Sequence, residues 1–351
     1  MRRSSNFTSA LRNDKFKKSL VQYIVNNWMS IDYLPVIGSK TLYVTLDTDC
    51  YVFTNVNGSL QCNKDSTLTC MHEEADSRML FHIAATNLSE RNIVVRSIDT
   101  DVLIIVLGNL HKIPCVGNVW MEVGIQSQNN LRYIDVSELA RQLGSSLCSA
   151  LPAFHCFTGC DYTAAFFRLG KIRPLKVLED NSEFQESFSN FGCHQDMNDE
   201  DITTIEKFVC SIYGLCQLTS VNEARYRKFL KVYKPNSNLF GETKGADGSA
   251  LPPCKSVLLQ KILRTNYISG IWNNATASEP AFTKPEEFGW VLEDHRFSLK
   301  WFDGDQVPKS LDSILVNDLG KESDMDSDDD NERGVQTRTI DEETDEGELD
   351  E

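Results

Sequence analysis

Between Asn92 and Val123 the chain reads as a β-branched strand (Asn92-Ile-Val-Val-Arg-Ser97), an apolar helix (Asp101 to Asn109) and a second strand (Asn118-Val-Trp-Met-Glu-Val123). Parallel neighbours can be joined only by a long crossover, and helices then cover the faces of the sheet. This alternation predicts an α/β body with a parallel sheet and constrains the fold more than any other feature. Upstream, Phe16, Leu20, Val21, Ile24, Val25 and Trp28 recur at three and four, which predicts a helix over Asp14 to Met29. Thr41 to Leu46 reads as a strand, and Tyr51 to Cys62 as a hairpin about Asn57-Gly58. Glu73 to Leu88 reads as a helix. Beyond Ile134 the pattern is mostly helical: Asp135 to Leu143, Ser145 to Phe157, short helices broken at Gly170 and Pro174, then Asn198 to Leu215, Val221 to Val232 and Lys255 to Trp272. Residues 273–310 have little periodicity and, with Trp290 and Trp301, predict an irregular extension.

Charge decides which partners are open to such a body. The 351 residues carry a formal net charge of −16, which at first argues against nucleic acid. Residues 318–351, however, hold 16 acidic and 3 basic residues, so residues 1–317 carry only −3. That tail has five Ile, Leu, Val and Met residues in 34 and predicts disorder. The longest apolar run, Val102 to Leu107, is far below the roughly 20 residues of a membrane span, and the basic, polar start does not read as a secretory signal. Eleven irregularly placed cysteines have no C-x-x-C pair, which predicts reduced thiols in an intracellular protein with no membrane partner.

Three short segments place acids beside structure breaks: His72-Glu73-Glu74-Ala75-Asp76, Asp99-Thr100-Asp101 and Gly159-Cys160-Asp161. Ligands of a parallel sheet collect outside the carboxyl ends of its strands, and Asp99 and Asp101 follow a strand there. Converging carboxylates repel and desolvate one another, so a cluster of them suits a bound cation, and an all-oxygen set suits Mg²⁺. Each segment also has a local reading. Acids in a first helical turn complement the helix dipole by roughly 0.3–1 kcal/mol, and Asp161 can cap the helix after it.

The order Glu74-Ala-Asp-Ser77, Asp99-Thr-Asp101 and Thr158-Gly-Cys-Asp-Tyr162, followed by Arg168-Leu-Gly-Lys171, resembles the core of the flap-endonuclease-like nucleases, a branch of the PIN-like fold. More closely, His72-Glu-Glu-Ala-Asp-x-Arg78, Asp99-Thr-Asp-Val102, Ala150-Leu-Pro-x-Phe-His-x-Phe-Thr-Gly-Cys-Asp161 and the later Leu-Pro-Pro and Trp layout resemble a group of mobile-element-associated animal proteins. The closer resemblance covers about residues 40–310, and the nuclease resemblance about 70–180. It implies a three-layer α/β PIN-like parallel sheet with a largely helical C-terminal half, and a nuclear, transposon-derived protein acting on branched or single-stranded DNA. It also implies two Mg²⁺ or Mn²⁺ ions on Glu74, Asp76, Asp99, Asp101 and Asp161, with Asp99, Asp101 and Asp161 catalytic. A basic, glycine-centred helical hairpin of Arg168, Gly170, Lys171, Arg173 and Lys176 would hold the DNA backbone. The segments implied are a partial start of the fold (1–70), the nuclease-like core (71–180), a helical extension (181–272), the Trp-containing extension (273–317) and the acidic tail.

The chain departs from that pattern. Family members bring another aspartate from the first strand of the sheet and a further acid upstream, and neither has a match in the 72 residues before the first motif. The chain therefore reads as the later part of a longer protein. Asp47-Thr-Asp49 is either a substitute or a solvated turn. Arg168-Leu-Gly-Lys171 lacks the first glycine and the proline of the usual hairpin turn. A non-catalytic nucleic-acid-binding or scaffold protein is the alternative. His155, Cys156 and Cys160 lie near the acids without zinc spacing, Cys193-His194 is isolated, and Phe166 and Phe167 read as core. Arg225, Arg227, Lys228, Lys231 and Lys234, with Tyr226 and Tyr233, are either a nucleic-acid face or a solvated helix face.

Overall fold

The computed structural model describes residues 6–85, 92–113, 117–232, 248–280 and 284–304. Residues 1–303 form one compact unit; of residues 304–351 only Gly304 is described, so the expected tail disorder lies outside the described residues, as do Tyr233 and Lys234. Helices α1 (Phe7–Ala10), α2 (Asp14–Asn27) and α3 (Leu34–Ile37) precede the meander β1 (Leu42–Leu46), β2 (Asp49–Val56) and β3 (Ser59–Lys64). Asn57 and Gly58 both take positive φ at the β2–β3 turn, the twist that Asn-Gly favours.

The second sheet holds the predicted crossover. Helix α4 (Ala75–Ala85) leads to β4 (Ile93–Arg96), α5 (Thr100–Asn109), β5 (Val119–Val123) and β6 (Arg132–Asp135). Strands β4 and β5 pair in parallel, with Ile93 opposite Val119. The sequence pattern does not foresee β6, which pairs antiparallel on β5 with Ile134 opposite Met121; its residues are half-buried or exposed, so it lacks an apolar signature.

The remainder is helical: α6 (Val136–Leu143), α7 (Ser145–Thr158), α8 (Ile172–Glu179), α9 (Ser182–Ser189), α10 (Asp199–Ile212), α11 (Val221–Val232) and α12 (Lys255–Asn273). Pro174 does not break α8. It stands in the first turn, where a missing backbone donor costs nothing. Residues 290–299 are not irregular either: β7 (Trp290–Glu293) and β8 (Arg296–Leu299) form a hairpin whose turn residues Asp294 and His295 both take positive φ.

Helix α7 is the centre of the main core. Leu147, Cys148 and every residue from Ala150 to Thr158 are buried, so it is apolar all round rather than one-faced. Phe154 and Phe157 meet Phe188 of α9 and Phe208 of α10 edge to face, contacts worth about 0.5–1.5 kcal/mol each beyond area burial. Gly108 of α5 admits Pro152 of α7: a Cβ there would stand 2.4 Å from the proline Cγ.

A second close approach joins the loop after α9 to α12. Gly192 has φ +76°, and a Cβ on it would lie 2.4 Å from the Gly270 nitrogen. Gly58 has φ +83° with nothing within 4 Å. Gly58→Ala is therefore expected to cost roughly 1–2 kcal/mol for the left-handed backbone alone. Gly192→Ala adds a backbone clash and is expected to cost more than about 3 kcal/mol. Urea denaturation of the two variants checks the difference, and equal losses would contradict it.

Candidate functional site

Each predicted acid is placed by an ordinary rule of local structure. Glu74 immediately precedes α4, and Asp76 lies in that helix's first turn. Asp99 follows β4 and caps α5, its Oδ1 accepting the Asp101 N–H at 3.0 Å; the cap expected of Asp161 is not made, since the next helix, α8, starts only at Ile172. Asp161 follows the end of α7, where Gly159 turns the chain at φ +123°; a Cβ there would lie 2.7 Å from Ala165 Cβ. Behind this turn the buried Lys261 of α12 donates to the Ala164 carbonyl and lies over Phe166 at 4.8 Å. Burial pushes that ammonium down to about 8.

These elements bring the five acids into one electrostatic neighbourhood. Burial, then the charges of Asp76, Asp101, Asp161 and Glu73, push Glu74 up to about 7. Burial and the charges of Asp99, Asp101 and Asp161 likewise raise Asp76. Among the described residues, no three His, Cys, Asp or Glu side chains are grouped to hold a metal ion. The donor set is all hard oxygen and its repulsion is only partly offset, which suits a hard cation in chemistry. An open cleft of about 530 Å³ lies beside Asp99 at the carboxyl end of β5, lined also by Ile98, Gly124, Asn130 and Arg132.

His155 ties the acids to the basic segment. Its Nε2 donates to Asp101 Oδ1 at 2.8 Å, with both side chains largely buried. Lys171 Nζ stands 3.0 Å from each ring nitrogen and 3.4 Å from the His155 carbonyl. With the ring proton on Nε2, Nδ1 accepts from Lys171, and a cation-to-carboxylate chain runs Lys171–His155–Asp101. Burial lowers Lys171, while Asp101 opposes that shift. Proximity in sequence had suggested His155 only as a neighbour without zinc spacing. The available signal was a histidine within an otherwise apolar helix.

The other basic candidates face outward. Arg168 is exposed with φ +58° and lies 4.8 Å over the exposed Phe167, which is therefore not core; Phe166 is. Gly170 has φ +57°, and Arg173 and Lys176 are exposed on α8. Lys171 alone of the five turns inward. Asp47 and Asp49 form the solvated-turn alternative: they pair with Lys18 at 2.8 Å and Lys64 at 2.7 Å, and Arg78 donates to both of their carbonyls. On α11, Arg225 donates to the Pro252 carbonyl at 2.6 Å and Arg227 pairs with Glu223. His72 serves packing, bonding Ser77 Oγ at 2.9 Å and the Ala277 carbonyl at 2.8 Å.

The repulsion sets a pH dependence. Glu74 is raised from 4.5 to about 7 on folding, so it favours the folded state below pH 4.5 and loses that contribution as pH rises through about 7. Glu74→Gln is expected to stabilise the protein at pH 8 by on the order of 1–2 kcal/mol, a value discounted for solvent screening, with no gain at pH 4. Urea midpoints at the two pH values measure this, and a pH-independent difference would contradict it.

Comparisons with protein-family models, with curated proteins and with solved structures each return no match.

Proposed function

We propose that the chain is a metal-dependent, nuclease-like protein acting on branched or single-stranded DNA, with a PIN-like, three-layer α/β body. The observation that supports this best is the shared electrostatic neighbourhood of five acids drawn from three separate breaks in the fold: the start of α4, the β4–α5 junction and the turn after α7. A structural role would not require acids of two other segments to raise the proton affinity of Glu74 and Asp76. Glu74, Asp76, Asp99, Asp101 and Asp161 would hold Mg²⁺ or Mn²⁺. When bound, two such ions supply activation of a water and stabilisation of the leaving oxygen in phosphodiester hydrolysis.

The chain's own residues have definable parts in this reading. His155 fixes the Asp101 carboxylate through a 2.8 Å bond. Exposed Arg168, Arg173 and Lys176 offer charge to phosphate oxygens, and the backbone at Gly170 is open to close approach. Segment 161–177 has four basic residues and one acid, a local excess within a near-neutral body. Lys171 lends positive charge to the acid cluster rather than to the surface.

A second reading, a nucleic-acid-binding or scaffold protein without catalysis, draws support from two features. No three acids are grouped to hold an ion among the described residues, and the Lys171 ammonium already offsets part of the acid charge.

Purified protein incubated with a 5′-flap DNA and Mg²⁺ or Mn²⁺ separates the readings. Metal-dependent cutting that falls at least about a hundredfold in Asp101→Asn is expected. Equal residual cutting by both proteins would sink the nuclease reading. Binding without cutting, with the slope of log affinity against log salt dropping by about one on Arg173→Ala, would favour the scaffold.

The tail offers an independent test of the basic surface. Its net charge of −13 lets it compete with DNA, so deleting residues 318–351 is expected to tighten DNA binding at low ionic strength and have little effect at high salt. Filter-binding or anisotropy titrations check this, and unchanged affinity at low salt counts against it.

A further inference from the structure

The end of α7 also carries two thiols that the chemistry above leaves idle. Cys156 is fully buried in the last turn of the helix, and Cys160 is half-buried in the turn beyond it. The backbone between them doubles back. The Gly159 N–H donates to the Cys156 carbonyl at 3.1 Å, the Cys160 N–H to the Thr163 carbonyl at 3.1 Å, and the Thr163 N–H to the Cys160 carbonyl at 3.3 Å. This folds both sulfurs around one hydroxyl: Thr163 Oγ1 stands 3.9 Å from Cys156 Sγ and 3.5 Å from Cys160 Sγ. The Thr163 hydroxyl donates to the Cys156 carbonyl, which leaves its oxygen to accept from the thiols. Both sulfurs thus share one polar partner, the Thr163 oxygen.

Two sulfurs gathered on one hydroxyl where the chain doubles back, one partly open to solvent and one enclosed, are placed for an intrachain bridge to close between them. They also match a division of labour in which an accessible thiol meets the oxidant and a sheltered one resolves it. Cys50 and Cys70 share a small core cluster, but both are buried; Cys148 and Cys210 are buried as well, and Cys193 and Cys216 are exposed. Cys193 Sγ donates to the Ser189 carbonyl at 3.5 Å, and Cys148 Sγ to the Ala140 carbonyl at 3.7 Å.

We infer that Cys156 and Cys160 form a paired-thiol modification site, oxidised by peroxides or small disulfides to an intrachain disulfide directly before Asp161. With hydrogen peroxide, the Cys160 thiolate attacks one peroxide oxygen, the O–O bond breaks and, after proton transfer, water leaves, giving a sulfenic acid. The Cys156 thiolate then attacks that sulfur, the S–O bond breaks, and the expelled hydroxide takes up a proton to leave as a second water. In sum, two thiols and one H₂O₂ give one disulfide and two H₂O, with two electrons passing from sulfur to oxygen. With glutathione disulfide, a mixed disulfide forms at Cys160 and Cys156 displaces the glutathione, so two glutathione thiols are released. This inference stands apart from the metal reading, because it requires no ion and no DNA.

The full chain, treated with hydrogen peroxide or glutathione disulfide, then alkylated with N-ethylmaleimide under denaturing conditions and digested with trypsin, provides the test. The peptide spanning residues 142–168 contains Cys148, Cys156 and Cys160. After oxidation it should carry one maleimide, on Cys148, and be two hydrogens lighter at the other pair; dithiothreitol should restore three maleimides. Cys160→Ser should abolish the bridge, whereas Cys193→Ser should leave it intact. Reduced wild-type protein provides a measurement that needs no variant. Phenylarsine oxide, which bridges paired thiols, should protect Cys156 and Cys160 together and leave Cys193 and Cys216 open to maleimide. Three maleimides on this peptide after an oxidant dose that modifies Cys193 and Cys216 would overturn the inference. So would independent labelling of Cys156 and Cys160 in the presence of phenylarsine oxide.

Discussion

Burial of α7 from Ala150 to its end is the constraint on which the rest of the structure depends. A helix that is apolar on every side must be enclosed on every side, and α5, α9, α10 and α12 supply the contacts, with phenylalanine edges on one flank and the Gly108–Pro152 approach on another. That enclosure fixes where the helix ends. Gly159 then turns the chain against Ala165, and Lys261 secures the turn through the Ala164 carbonyl, so Asp161 emerges at a position set by packing rather than by its own contacts. His155, three residues from the helix end, is held by the same enclosure and reaches Asp101.

The acid cluster is thus imposed on the fold by elements that are stable for other reasons. Burial of Glu74 and Asp76, and then repulsion from the acids around them, acts against the folded state at neutral pH, as their elevated proton affinities record. What opposes it locally is the Lys171–His155–Asp101 chain. Lys171 meets the acids through the His155 ring, so its offset falls on Asp101, to which that ring is bonded. The arrangement tolerates the cluster without neutralising it, and in the proposed reading that residual charge is what a hard cation would offset.

Where the sequence was legible, the signal was a periodic or turn-specific one. The β4–α5–β5 crossover, the Asn57-Gly58 hairpin and helices such as α2 and α12 all follow from apolar spacing and turn chemistry. Strand β6 and the β7–β8 hairpin were not legible. One is a short strand without a buried apolar face, and the other turns on Asp294-His295, which lacks the glycine of the strong Asn-Gly and Asp-Gly hairpin signals. At the site, the acids could be named from their position beside structure breaks, whereas the inward turn of Lys171 could not. A lysine in a basic segment looks like surface charge until a buried histidine 16 residues away is seen to receive it. Local patterns carry no information about such a long-range partner.

The net charge of −16 is a poor guide to this molecule, because charge acts over distances of about a Debye length, ~8–10 Å at physiological salt, and the acids are not evenly spread. Most of the excess belongs to residues 318–351. Within the body, the field felt by an approaching polyanion depends on which charges are already paired. Lys18, Lys64 and Arg227 are each matched to a nearby carboxylate, and Lys171 is committed to His155. Arg168, Arg173 and Lys176 remain exposed on one short stretch that begins seven residues after Asp161. In the proposed reading, a phosphate chain drawn to that stretch would also meet the repulsion of the acids unless cations intervened. The acids would therefore weaken phosphate binding wherever divalent ions are absent. Local pairing of charge, rather than net charge, sets the terms on which this protein could meet nucleic acid.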